Sequence, residues 1–198
     1  MKIGLTGSIA CGKSTVSSFL RNNGYTVVDA DAISHALTAP GGAALPAIRE
    51  AFGDGVFSGE SLDRRALGSI VFADPDKRAQ LNAILHPMIL SSIYAALDES
   101  DAPGKLVFAD VPLLYECRME DHFDRIWVVA AQKETQLDRL MTRDHLTKDE
   151  ALARIRSQMP LEEKCRRADA VIMTDGPIPH TQKQVRSLLS SAHHRRTT

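Results

Sequence analysis

Gly7-Ser8-Ile9-Ala10-Cys11-Gly12-Lys13-Ser14 fits G-x-x-x-x-G-K-[ST] at every fixed position, and its flanks fit as well. Before it, Lys2-Ile3-Gly4-Leu5-Thr6 is a short apolar run that reads as a buried strand. After it, Val16, Phe19 and Leu20 recur at helical spacing until Asn22-Asn23-Gly24 stops the helix. A strand that passes through a glycine-rich turn into a helix brings successive backbone N–H groups together on an anion. The glycines let the backbone curl, and the helix N-terminus adds its dipole to the same charge. Lys13 then reaches the β and γ phosphates of a nucleotide, and the Ser14 hydroxyl is placed to ligate Mg²⁺. The motif alone leaves kinase, GTPase and ATPase open. Cys11 has two readings: a thiol whose pKa the helix N-terminus lowers, or a small filler residue.

Outward from the loop, Tyr25-Thr26-Val27-Val28 is a second strand ending at Asp29-Ala30-Asp31, which completes a βαβ unit of about thirty residues. Further apolar runs lie at 106–109, 125–129 and 170–173, separated by helical patterns. Short continuous apolar runs of this kind predict parallel strands covered on both faces, so the fold class is α/β with a five-stranded parallel sheet. The stretch from 32 to 104 differs. Helical patterns at 44–52, 63–72, 77–85 and 87–97 follow one another with no convincing strand, which predicts a helical insertion that returns to the sheet at Lys105. Helices are expected at 133–143 and 148–159, the second opened by Thr147 and Glu150 at capping-box spacing. The basic, polar tail 193–198 is expected to fray, and its His193-His194 pair to do nothing.

Composition bounds the function. A chain of 198 residues with 43% hydrophobic and 25% charged residues has the make-up of one soluble globular domain with a small insertion. A formal net charge of −1 gives no general attraction to nucleic acid or to an anionic membrane. Three cysteines, at 11, 117 and 165, argue against a disulfide framework and a zinc knuckle. The seven histidines show no metal-ligand spacing. No signal peptide and no bilayer-length apolar run is visible, so the expected location is the cytoplasm.

Several side chains are candidates for chemistry. Asp29 and Asp31 are two apart at a strand end beside the loop, where α/β sheets bind ligands, and in an extended chain they face one side. Either a catalytic base or a helix N-cap explains them, and Asp31, projecting further, is the better base. Asp110 ends the third strand and reads either as a metal-holding carboxylate or as a cap for the turn at Pro112. Arg139 and Arg143, at i and i+4, with Arg154 on the next helix, suit the charge of a transferring phosphoryl group or form a solvated face. His86-Pro87 reads as a helix-boundary turn.

Taken in order, the residues resemble one family, the dephospho-CoA kinases. The resemblance runs from Ile3 to about Gly176. It rests on Leu5-Thr6-Gly7 with the loop, Val28-Asp29-Ala30-Asp31, Leu62-Asp63-Arg64-Arg65-Ala66-Leu67 and His86-Pro87. It continues through Pro112-Leu113-Leu114-Tyr115-Glu116, Gln136-Leu137-Asp138-Arg139-Leu140-Met141-Thr142-Arg143, Arg154-Ile155-Arg156-Ser157-Gln158-Met159-Pro160 and Ala168-Asp169. The resemblance implies a three-layer P-loop kinase whose core is 1–31 with 105–192, a helical acceptor insertion at 32–104 and a helical lid at about 133–160. It also implies phosphorylation by ATP, with Mg²⁺, of the ribose 3′-hydroxyl of dephospho-CoA, the last step of coenzyme A synthesis. Carried onto this chain, Asp31 is the base, and Lys13 and Arg139 stabilise the transferring phosphoryl group. Gly7, Ala10, Cys11, Gly12, Lys13, Ser14, Thr15 and Arg143 bind ATP, with Ser14 on the metal. Asp31, Arg64, His86 and Glu116 contact the acceptor. The implied partners are these two small molecules, with no nucleic acid or membrane, in a monomer or weak homo-oligomer.

Some positions depart from the family's pattern. Ser8, Ala10 and Cys11 stand where similar sequences show glycine, glycine and serine, so a glycine-only backbone angle at 8 or 10 would be strained. Thr174 stands where an asparagine is usual before Gly176. The nearest rival is a kinase for another small molecule. A GTPase would carry an Asn-Lys-x-Asp segment, which is missing, and a nucleic-acid ATPase would carry more positive charge.

Overall fold

The computed structural model describes residues 1–194. Of the tail 193–198, residues 195–198 lie outside the described residues, and His193 and His194 form the end of a helix instead of fraying. The chain divides into two compact units, one of Met1–Val28 with the segment from Leu97 onward, the other Asp29–Ala96. In chain order the elements are β1 (Lys2–Gly7), α1 (Lys13–Asn22), β2 (Thr26–Asp29), α2 (Ala30–Leu37), α3 (Leu45–Phe52), β3 (Phe57–Ser58), β4 (Ser61–Leu62), α4 (Arg64–Ala73) and α5 (Pro75–Ser100). There follow β5 (Val107–Asp110), β6 (Arg125–Ala130), α6 (Lys133–Asp144), α7 (Lys148–Arg156), α8 (Leu161–Arg167), β7 (Ala170–Met173) and α9 (Ile178–His194).

The apolar runs form a five-stranded sheet in the order β2-β5-β1-β6-β7. Ile3 lies opposite Phe108 on one side and Arg125 on the other, and both ladders are parallel. The connection leaving β1 crosses to the β2 side, whereas the one leaving β6 crosses to β7. The carboxyl ends of β1 and β6 therefore flank the point where the winding reverses, the place where open α/β sheets take ligands. Gly7 sits there because β6 runs too close for any side chain: a Cβ on Gly7 would lie 2.5 Å from the Val129 carbonyl oxygen. One face of the sheet packs Ile3, Leu5, Phe108, Trp127 and Val129 against Val16, Leu20, Val185 and Leu189. Phe108 and Trp127 meet with ring centroids 5.4 Å apart, within the range where aromatic pairs add to simple burial.

The smaller unit is mostly helical, around Ala44, Ile48, Val56, Leu67 and Val71. It differs from the sequence expectation in two respects. A two-stranded antiparallel ribbon, β3 with β4, interrupts the helices, because strands of two residues are too short to carry an alternation. The boundary expected at His86-Pro87 is absent, and α5 runs through Pro87. Proline removes one donor and displaces one carbonyl, but Ile84 and Leu85 before it and Met88 after it pack on the same cluster and hold the helix across the defect.

Candidate active site

The phosphate loop is a set of peptides fixed from behind. Gly12, at φ 78°, occupies the left-handed region and starts α1. Ala10 also lies there, at φ 60°, the strain expected from an alanine where glycine is usual. Five loop carbonyls find a donor: Ser8 O accepts from Cys11 N at 3.2 Å, and Gly12 O from Thr15 N at 3.1 Å. Ile9 O accepts from Gln136 Nε2 at 2.7 Å, Cys11 O from the Thr174 hydroxyl at 2.9 Å, and Gly7 O from Lys164 Nζ at 3.3 Å. Oxygens engaged this way are committed to the protein, not left to oppose an anion. Lys13 pairs with Asp110 at the end of β5, and the Ser17 hydroxyl donates to the same carboxylate. Cys11 is 1% exposed, and burial pushes its thiol up, which decides for the filler reading over an activated nucleophile.

Across the loop stands α6. A cleft of about 500 Å³ has Ala10, Gly12 and Ser14 on one wall and Arg139, Thr142 and Arg143 on the other. The structure thus brings together the loop and two arginines that are far apart in sequence. Arg139 grips Thr174 twice, Nη1 to the hydroxyl at 2.9 Å and Nη2 to the carbonyl at 2.6 Å. The threonine therefore orients Arg139 and braces Cys11 O at once. Arg143 makes a bidentate pair with Asp144 at 2.7 and 3.1 Å, which holds that carboxyl below the usual range, and Arg154 joins it at 2.8 Å. Thr147 and Glu150 form the expected capping box at the start of α7.

Glu116 accepts from Met159 N at 3.0 Å and pairs with Lys164 at 2.9 Å. Both contacts use Oε1. Lys164 is fully buried, and its ammonium also reaches Pro112 O at 3.2 Å, so one cation ties the loop's first residue to the 112–116 segment. Sequence reasoning missed this role for Lys164, and it singled out Gln136 and Gln158 only as letters of a motif. A lysine among Glu162, Glu163, Arg166 and Arg167 reads as surface charge, and nothing in its spacing says otherwise.

In the smaller unit the acidic pair separates into two jobs. α2 begins directly at Ala30, so Asp29 and Asp31 do not share a strand face. Asp29 is the N-cap, accepting from the N–H groups of Asp31 and Ala32, both at 3.1 Å. The Asp31 carboxylate is exposed and has no hydrogen-bond or ion-pair partner among the described residues. Arg64 donates to the Thr38 hydroxyl at 2.7 Å, and His86 is exposed on α5.

Among the described residues no group of three or more His, Cys, Asp or Glu side chains could cage a metal ion. Mg²⁺ carried on a nucleotide needs only one or two protein oxygens, and the Ser14 hydroxyl on the cleft wall fits that need, while the Asp110 carboxylate is already engaged by Lys13 and Ser17. No helix among the described residues is long and apolar enough to cross a membrane.

Comparison with known proteins agrees with this geometry. The family model for dephospho-CoA kinase matches residues 1–180. The dephospho-CoA kinase of Symbiobacterium thermophilum is 48% identical over 192 residues, covering 96% of this chain and 80% of the relative. A crystal structure of a Thermus thermophilus protein superimposes with a TM-score of 0.80 at 37% identity, covering 96% and 97% of the two chains. The dephospho-CoA kinase of Campylobacter jejuni gives a TM-score of 0.78 at 27% identity, covering 98% of each.

Proposed function

The chain belongs to the dephospho-CoA kinase family, and from that premise we propose that it transfers the γ-phosphoryl group of ATP to the ribose 3′-hydroxyl of dephospho-CoA. The products are coenzyme A and ADP, so the enzyme is an alcohol-directed phosphotransferase that completes coenzyme A biosynthesis. The observation that carries the reading is the single cleft shared by the phosphate loop, Arg139 and Arg143.

The loop N–H groups, Lys13 and the α1 dipole bind the β and γ phosphates. Arg139, held planar on Thr174, faces the charge that spreads over the equatorial oxygens during transfer. Ser14 would hold Mg²⁺ through its hydroxyl and Asp110 through water, its own oxygens being taken by Lys13 and Ser17, and the ion would supply charge neutralisation on the phosphates. Asp31 takes the proton of the attacking hydroxyl, a role supported by its unpartnered carboxylate. The insertion 32–104 binds the acceptor, with Arg64 and His86 as contacts. Glu116 presents its remaining oxygen, Oε2, to the same ligand. The segment 133–160 is a lid carrying Arg139 and Arg143 over ATP and excluding water. The protein works in the cytoplasm on two small molecules, as a monomer or weak homo-oligomer, without nucleic acid or membrane.

The deciding assay measures ATP consumption with Mg²⁺ across dephospho-CoA, adenosine, AMP, shikimate and water. Phosphorylation is expected with dephospho-CoA alone, and Asp31→Asn is expected to lower kcat about 10²–10⁴-fold. Turnover of another acceptor in place of dephospho-CoA would overturn the assignment.

A further inference from the structure

Side chains on the far side of the loop brace it further. Ser8 is 6% exposed and Gln136 is 3% exposed. Gln136 Nε2 donates to Ser8 Oγ at 2.9 Å as well as to Ile9 O. The Ser8 hydroxyl donates in turn to Gln158 Oε1 at 3.0 Å, and Ile9 N donates to the same oxygen at 2.9 Å. The chain of donors is directional: one amide nitrogen at its start, one amide oxygen at its end, and the hydroxyl between them accepting one bond and giving one. Residue Ile9 is therefore held by side chains on its own N–H and C=O, one from each of two successive peptide units. Neither unit can rotate without breaking its bond to a glutamine.

The two glutamines come from opposite ends of one excursion. Gln136 stands on α6, where the chain leaves the sheet, and Gln158 follows α7, where it returns. Ser8 is the residue that joins them, through a hydroxyl that accepts from one and donates to the other.

We propose that Gln158 is a positioning residue that couples the α6–α7 hairpin to the phosphate loop, with Ser8 and Gln136 setting the direction of its amide. Placement of the hairpin and ordering of the two peptide units around Ile9 are then one event: nucleotide bound to the loop steadies the hairpin, and a displaced hairpin loosens the loop. The inference rests on the reading of the loop as the ATP site.

The test compares the wild type with Ser8→Ala, Gln158→Met and the double variant, reading KM for ATP, kcat, thermal midpoint and trypsin cleavage within residues 143–156 with and without ADP. Gln158→Met keeps the side chain's length and loses its acceptor. It is expected to raise KM for ATP about tenfold with the midpoint held within about 2 °C. Ser8→Ala is expected to raise KM about threefold, and the double variant about tenfold, because both act on one network. ADP is expected to slow cleavage in the wild type and not in Gln158→Met. A KM within twofold of wild type, a double variant near thirtyfold, or undiminished ADP protection in Gln158→Met would each overturn the coupling. Should Gln158→Met not fold, Ser8→Ala decides alone, a threefold KM increase at an unchanged midpoint supporting it and no increase overturning it. Failure of the kinase reading looks different, since the wild type itself would then not phosphorylate dephospho-CoA.

Discussion

Ala10 holds a backbone angle that costs an L side chain roughly 1–2 kcal/mol, and glycine would relieve that at an entropic cost of about 0.5–1 kcal/mol. Ala10→Gly is therefore expected to raise the thermal midpoint slightly, by about 1–3 °C, and to leave KM for ATP unchanged. Ala10→Val is expected to lower the midpoint and raise that KM, since a β-branched residue tolerates the angle far worse. Tyr115 carries a different local cost. It is 3% exposed, and its hydroxyl finds no hydrogen-bond partner among the described residues. Burial pushes its pKa up to about 12. Between an ordinary phenol's value near 10 and about 12, the folded chain keeps a proton that the unfolded chain gives up, so stability falls as pH rises through that window. Urea titrations should find Tyr115→Phe more stable by about 1 kcal/mol at pH 7 and without this alkaline decline. Of the site, the phosphate loop was legible because its motif states the chemistry directly, while the spacing of Arg139 and Arg143 fits a solvated face equally well. Lys164 and Gln158 were not legible, since their partners in the loop lie more than a hundred residues away.

The strands of the sheet were readable as elements because each carries a run of apolar residues. Only the central β1, β5 and β6 are buried as expected, while the edge strands β2 and β7 leave residues such as Thr26, Val171 and Met173 exposed. The ribbon of β3 and β4 left no such trace. α9 was passed over although Thr181, Val185 and Leu189 recur every four residues and are all buried, because the first of them is polar and blurs the stripe. α5 shows the opposite error, a break inferred where packing overrides it. That gives a prediction on the element itself. Pro87→Ala restores one backbone donor and removes a clash, while losing the stiffness proline gives the unfolded chain. A net gain of about 1–2 kcal/mol in denaturant unfolding is expected, with kcat unaffected.

On the scale of the whole molecule, catalysis and stability meet at the loop. A ligand that binds only the folded chain at one hundred times its Kd adds about 2.7 kcal/mol, or roughly 5–10 °C for a chain of this size. ADP is expected to raise the wild-type midpoint by that amount and to do the same for Asp31→Asn, whose change lies on the acceptor side. Lys13→Met should lose most of the shift, and a scanning-fluorimetry series separates the three. The division into two units was legible only as a change of texture, from alternating strands and helices to helices alone; the ends of the insertion were not, because Asp29 turns directly from strand to helix cap with no linker between. The buried thiol in the loop carries a consequence for covalent chemistry. Electrophiles and peroxide react with exposed thiolates, and Cys11 offers neither exposure nor charge. An alkylating inhibitor will find no handle in this nucleotide site despite the cysteine written into its sequence. Loss of activity under oxidants is then expected to arise outside Cys11, among the methionines or at Cys117 and Cys165, which are only partly buried.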